Sequence, residues 1–131
     1  MDVPVTGAPD AYGQGSPEHK LAEYLYFWMR RNYGYMAKCV PHDMGAPTNA
    51  MPGIIRERFD ARQLRTFTFC SVTDIAGAVT EIESTLVIEC DGIESEQTVK
   101  FRLIHQDIES RPIVREEPDG EWVVYNWGNI A

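Results

Sequence analysis

Glu81-Ile82-Glu83-Ser84-Thr85-Leu86-Val87-Ile88-Glu89-Cys90-Asp91-Gly92-Ile93-Glu94-Ser95-Glu96-Gln97-Thr98-Val99-Lys100-Phe101-Arg102-Leu103 carries alternating side chains on both sides of the dipeptide Asp91-Gly92. Asp-Gly between two such runs is a strong short-range signal for a two-residue hairpin, because both central residues of the favoured turn need positive φ. That loop sets Cys90 opposite Ile93, and every other residue opposite the one equally far beyond the turn. Glu83 then faces Lys100 and Glu81 faces Arg102, two opposite-charge pairs on one face. The other face pairs Ile82 with Phe101 and Ser84 with Val99, with Leu103 and His105 further along it. A slip of one residue would set charges against apolar groups, so turn chemistry and charge pattern predict the same register.

Outward from this hairpin the pattern stays that of strands. Residues 65–75, 78–90, 93–106, 112–116 and 121–127 are rich in alternating, β-branched or aromatic residues bounded by turn signals. Glu117-Pro118-Asp119-Gly120-Glu121 reads as a type I turn with glycine in the left-handed position, joining the last two strands of a meander. Upstream the period lengthens to that of helices. Ser16-Pro17-Glu18 combines a capping hydroxyl, a proline suited to the first helical position and an early carboxylate. Leu21, Tyr24, Leu25, Trp28 and Asn32 then recur at three- and four-residue spacing and form the core face. Arg30 and Arg31 place cations in the last turn, and Asn32-Tyr33-Gly34 supplies the break before a second helix over residues 33–39. Residues 40–53 hold three prolines and two glycines and read as a loop, followed by a third helix over residues 54–62 with Ile55 and Phe59 inward and Arg56, Glu57 and Arg58 outward. Helices first and strands afterwards predict an α+β domain, with N-terminal helices packed on one face of an antiparallel sheet.

The chain has 131 residues, enough for one core and not for two, and a domain of this size buries roughly 70% of the surface its unfolded chain exposes. A single domain is expected over residues 16–131. Residues 1–15, rich in Gly, Pro and Asp, read as a disordered leader or the stub of a linker. Twenty acidic against twelve basic side chains argue against a nucleic-acid partner and against an anionic membrane surface, since both select cations. No apolar run is long enough for a membrane span, and no signal peptide is legible. The expectation is a cytoplasmic location for the chain as it stands, or export and surface anchoring if a signal once preceded it. Three cysteines, Cys39, Cys70 and Cys90, form no C-x-x-C pair and predict free thiols.

Tyr26-Phe27-Trp28 on the first helix, the Arg31-Asn32-Tyr33-Gly34-Tyr35-Met36-Ala37 stretch, a variable loop, a third helix and long strands closing on Asp119-Gly120-Glu121-Trp122 resemble the nuclear transport factor 2-like (cystatin-like, SnoaL-like) superfamily. The likeness spans about residues 17–128. Within the superfamily the chain looks closest to small accessory domains of bacterial cell-surface and transpeptidase-associated proteins. It lacks a clear small hairpin between the second and third helices, a feature of many enzyme members. The resemblance implies a strongly bent, cone-shaped sheet whose concave face encloses a pocket, and association into a homodimer through the exposed sheet face.

In such a pocket Tyr24, Trp28, Phe101, Leu103, His105 and Asp107 are the candidate lining residues. By strand parity Val99, Phe101, Leu103, His105 and Asp107 share one face, and the apolar members turn that face inward. His105 and Asp107 then form a candidate acid/base pair at the pocket mouth. The competing reading makes His105 an edge-of-core histidine and Asp107 the start of a loop. Tyr24, Tyr26, Tyr33 and Tyr35 offer phenols, which more often bury the ring and leave the hydroxyl at a wet edge. Cys39, His42 and Asp43 have ligand chemistry but no second cluster to complete a metal site, so no metal and no cofactor is expected. Two function classes follow. One is a noncatalytic small-molecule-binding or protein-interaction module. The alternative is a pocket enzyme of isomerase or dehydratase type acting on a small apolar compound, neutral or cationic because the acidic chain repels anions.

Overall fold

Ser16 opens the first helix: its hydroxyl accepts a hydrogen bond from the His19 amide at 3.1 Å, and Pro17 follows at the first helical position. The computed structural model describes residues 15–39, 53, 56–57, 59–107, 109 and 111–124. Helix α1 spans Pro17–Met29, α2 spans Tyr33–Ala37, and four strands follow, β1 Gln63–Ala76, β2 Val79–Cys90, β3 Ile93–Gln106 and β4 Glu121–Val124. The fold is α+β, a short helical region followed by a four-stranded antiparallel sheet in the order β1-β2-β3-β4.

The buried stripe of α1 is Leu21, Ala22, Tyr24, Leu25 and Trp28. Its end differs from expectation. The Arg31 amide donates to the Trp28 carbonyl at 2.9 Å and the Asn32 amide to the Phe27 carbonyl at 2.8 Å. This is the Schellman pair of bonds that closes a helix around a left-handed residue. That residue is Arg31, at φ 57°, so the break falls there and not at Gly34. Asn32 then caps α2 by accepting from the Tyr35 amide. Of the third expected helix, Gly53, Arg56, Glu57 and Phe59 are helical, with the Asp60 amide bonded to the Arg56 carbonyl at 2.8 Å. Phe59 is fully buried, whereas Ile54, Ile55 and Arg58 lie outside the described residues.

The β2–β3 hairpin has the predicted register throughout: Cys90 pairs with Ile93, Glu83 with Lys100, Glu81 with Arg102 and Ile82 with Phe101. Asp91 at φ 54° and Gly92 at φ 79° supply the two positive φ values that the tight turn requires. Register shifts interrupt β1 between Leu64 and Thr66, between Phe69 and Ser71, and between Asp74 and Ala76. The first shift changes the strand's parity, which lets Leu64 face the same core as Phe67 and Phe69.

Residues 112–116 do not form the expected strand. Only Pro112 bridges, to Gln106; the Ile113 amide donates to His105 of β3, and the Arg115 amide to Gly77 in the β1–β2 turn. Backbone bonds divided between two partners cannot build a ladder. The Arg115 guanidinium instead clamps that turn, donating to Asp74 Oδ1 at 2.6 Å, Thr80 Oγ1 at 3.0 Å and the Val79 carbonyl at 3.2 Å. Gly120 is corrected too. The Gly120 amide bonds to the Glu117 carbonyl at 3.4 Å as a turn demands, but Gly120 is not among the positive-φ glycines. Glycine is needed there for space: a Cβ would collide with His105 Cε1 and stand 2.7 Å from both His105 Nε2 and Ile113 Cδ1.

Candidate functional site

The alternation of β2 and β3 delivers Ile82, Leu86, Phe101 and Leu103 to the face covered by α1. Tyr24, Trp28, Phe101 and Leu103, four of the six expected lining residues, are shut off from solvent in this core. Tyr24 meets Phe59 and Phe101 edge to face, at ring separations of 6.1 and 6.5 Å, and Trp28 lies 4.7 Å from Phe59. The Trp28 indole N–H donates to the Arg62 carbonyl at 2.9 Å, satisfying its one polar atom.

His105 and Asp107 sit on the same run of chain but are held by different partners. His105 is buried, with Nδ1 3.2 Å from the Ile113 carbonyl and 3.0 Å from the Val114 carbonyl. Both partners are acceptors, so Nδ1 carries the proton and Nε2 faces Gly120. Its ring packs 5.1 Å from Trp122. Asp107 Oδ1 accepts from the amides of Glu109 at 2.9 Å and Arg111 at 3.0 Å, and Oδ2 from the Arg111 guanidinium at 3.3 Å. The Arg111 amide first, then the Glu109 amide and the Arg111 guanidinium, hold this carboxyl below its ordinary range. Asp107 closes a turn rather than facing the imidazole.

Of three grooves that open to solvent among the described residues, beside α1, none is lined by Tyr24, Trp28, Phe101, Leu103, His105 or Asp107. The largest of these three, about 550 Å³, is bounded by Arg30, Arg31, Asn32, Tyr33, Gly53 and Arg56. It lies where the α1–α2 junction meets the helical residues before β1. Arg31 is fixed on both its backbone and its side chain. Its Nε donates to Gln63 Oε1 at 2.9 Å and its Nη1 pairs with Asp60 Oδ1 at 3.2 Å. Gln63 is itself tied to the Met29 and Leu64 carbonyls through Nε2. Tyr33 completes the network by donating to Asp60 Oδ1 at 2.8 Å. Burial first, then the bond to Asp60, raises the Tyr33 phenol above its usual value of 10.0, which keeps it a donor. The Arg56 guanidinium carbon lies over the Tyr33 ring, 5.6 Å from its centroid, and that of Arg30 over Tyr26 at 5.1 Å. Among the described residues neither Arg30 nor Arg56 has a carboxylate within 4.0 Å.

The arginine groove has no counterpart in the sequence reading, which gave Arg30 and Arg31 to the helix dipole and turned Arg56 toward solvent. Its one legible sign was two adjacent arginines at a helix end, in a chain of net charge -8. Cys39 is buried, its thiol pushed up to about 12 by burial, while Cys70 is half-buried and Cys90 exposed; all three are free. His42 and Asp43 lie outside the described residues, and among those described no group of three ligating side chains could hold a metal ion. No helix among them is long and apolar enough to cross a membrane. No protein-family model matches the chain, and no curated protein and no solved structure matches it.

Proposed function

We propose that this domain is a noncatalytic binding module of the nuclear transport factor 2-like type, engaging its ligand at the open groove beside α1 and α2 rather than in an enclosed pocket. The carrying observation is the commitment of His105: Nδ1 is spent on two backbone carbonyls and Nε2 is covered by the Gly120 turn. A general acid or base must reach the proton it transfers, and geometry decides that before proton affinity does. Asp107 is engaged by its own loop, so the two groups do not form a pair.

The sequence of helices followed by an antiparallel meander supports the superfamily reading, and with it a cone-shaped, cystatin-like sheet. The small apolar ligand implied by that likeness would have to enter among Tyr24, Trp28, Phe101 and Leu103, all fully buried. The 550 Å³ groove is open to solvent and bordered by polar residues, so a ligand reaches it without displacing the core. Pairing of two copies belongs to the same reading. The outer sheet face would supply a polar interface, bearing Thr85, Glu83 and the Glu81–Arg102 ion pair at 3.2 Å.

The test is an NMR-monitored incubation with a panel of small organic acids, alcohols and ketones. A module shifts protein resonances while every compound keeps its own spectrum. Conversion of any compound, lost in a folded His105→Gln variant, contradicts the proposal.

A further inference from the structure

We propose that the groove between Arg30, Arg31 and Arg56 binds a small ligand through a multiply charged oxyanion, a phosphate or a pair of carboxylates. This rests on the binding-module reading and adds the chemistry of what is bound. The first support is charge. In a chain with eight more acidic than basic side chains, three arginines border one concavity, and Asp60, the one acid bonded to them among the described residues, is shared between Arg31 and Tyr33. Arg30 and Arg56 keep their donors free of carboxylates among the described residues, while their guanidinium carbons lie over the Tyr26 and Tyr33 rings. A guanidinium held over an aromatic ring is restrained before a ligand arrives, and its planar fork matches the oxygens of carboxylate and phosphate.

The second support is conformational and independent of charge. Arg31 occupies the left-handed position of the Schellman turn, at φ 57°, where glycine is the usual residue because a Cβ is disfavoured. Helix closure alone would be better served by glycine. The side chain kept there is locked by Gln63 and Asp60, and Gln63 by two backbone carbonyls, so it is presented rigidly. Backbone strain retained beside a built concavity points toward function.

The experiment titrates the whole chain with pyrophosphate, with succinate and with uncharged benzamide at low salt, following arginine Nε–Hε resonances. Saturation by pyrophosphate or succinate with a Kd on the order of 1 mM or tighter, and shifts at Arg30, Arg31 and Arg56, is the expected result; the tighter probe identifies phosphate or carboxylate. The Arg30→Gln/Arg56→Gln variant should weaken that binding at least ~tenfold, the loss expected for charged hydrogen bonds. Arg31→Gly should do the same while melting no lower than the parent, which separates a ligand role from a helix-closing one. Unchanged anion affinity in both variants, or anion-induced shifts confined to other surfaces, overturns the proposal. Benzamide binding at these residues with no anion binding overturns the anion assignment and leaves the module reading standing. Hydrolysis of pyrophosphate at the groove sustains the anion assignment and overturns the module reading.

Discussion

Gly120 and His105 show how little room a single residue can have. The collision awaiting a Cβ at position 120 is with a side chain, not with the backbone dihedral, so its cost depends on the histidine. Gly120→Ala should destabilise the fold by roughly 1–3 kcal/mol, the usual overpacking penalty. Urea unfolding should show that penalty shrinking when His105→Ala is combined with it, as coupled neighbours do. Cys39 makes a second residue-scale prediction. Its thiol is pushed up to about 12 in the folded chain, against 9.0 for an unburied thiol, so above pH 9 the unfolded chain loses a proton that the folded chain keeps. Stability therefore falls as pH rises from 9 toward 12 and is insensitive to this group below 9. The Tyr33 phenol, also raised, acts with the same sign at higher pH. Cys39→Ala should flatten the alkaline slope in thermal melts taken across that window. A slope unchanged in the variant would show that the thiol is not shielded.

Elements were legible where the signal was local. The Ser16 cap, the α1 stripe and the Asp91-Gly92 turn are each written within a few residues, and the cross-strand charges checked the hairpin register from inside the sequence. Where the competing partner lay far along the chain, reading failed. Ile113 and Arg115 alternate like a strand because one packs beside His105 and Gly120 while the other reaches back to clamp residues 74–80. The left-handed Arg31 was missed because residue preference points to glycine, and Gly34 stood close by. Two tests belong at this scale. Trp28→Ala should cost about 3–5 kcal/mol by the large-to-small penalty; a loss below about 1 kcal/mol in urea would mean that α1 turns a different face to the sheet. Gly92→Val should cost about 1–2 kcal/mol for placing a β-branched residue at φ 79°, and the hairpin's amide exchange should quicken with it.

Over the whole molecule the sheet and helices use the buried apolar residues to fill one core. Helical spacing turns Tyr24 and Trp28 inward and strand parity does the same for Phe101 and Leu103, but neither period distinguishes a lined cavity from a filled one, and all four are fully buried. The arginine groove was illegible for the opposite reason: residues 30–31 and 56 are far apart in the sequence and border one groove only in the folded chain. The proposed anion site sets its local positive charge against the expectation that an acidic chain repels anions. Net charge governs the far field, while a local cluster governs contact within about a Debye length of 10 Å. The most direct measurement is a crystal structure of the chain soaked with pyrophosphate. The account predicts the anion within hydrogen-bonding distance of Arg31 and Arg56, with His105 still bonded to the Ile113 and Val114 carbonyls. An anion bound against a His105 side chain released from those carbonyls, with the arginine groove empty, would contradict it.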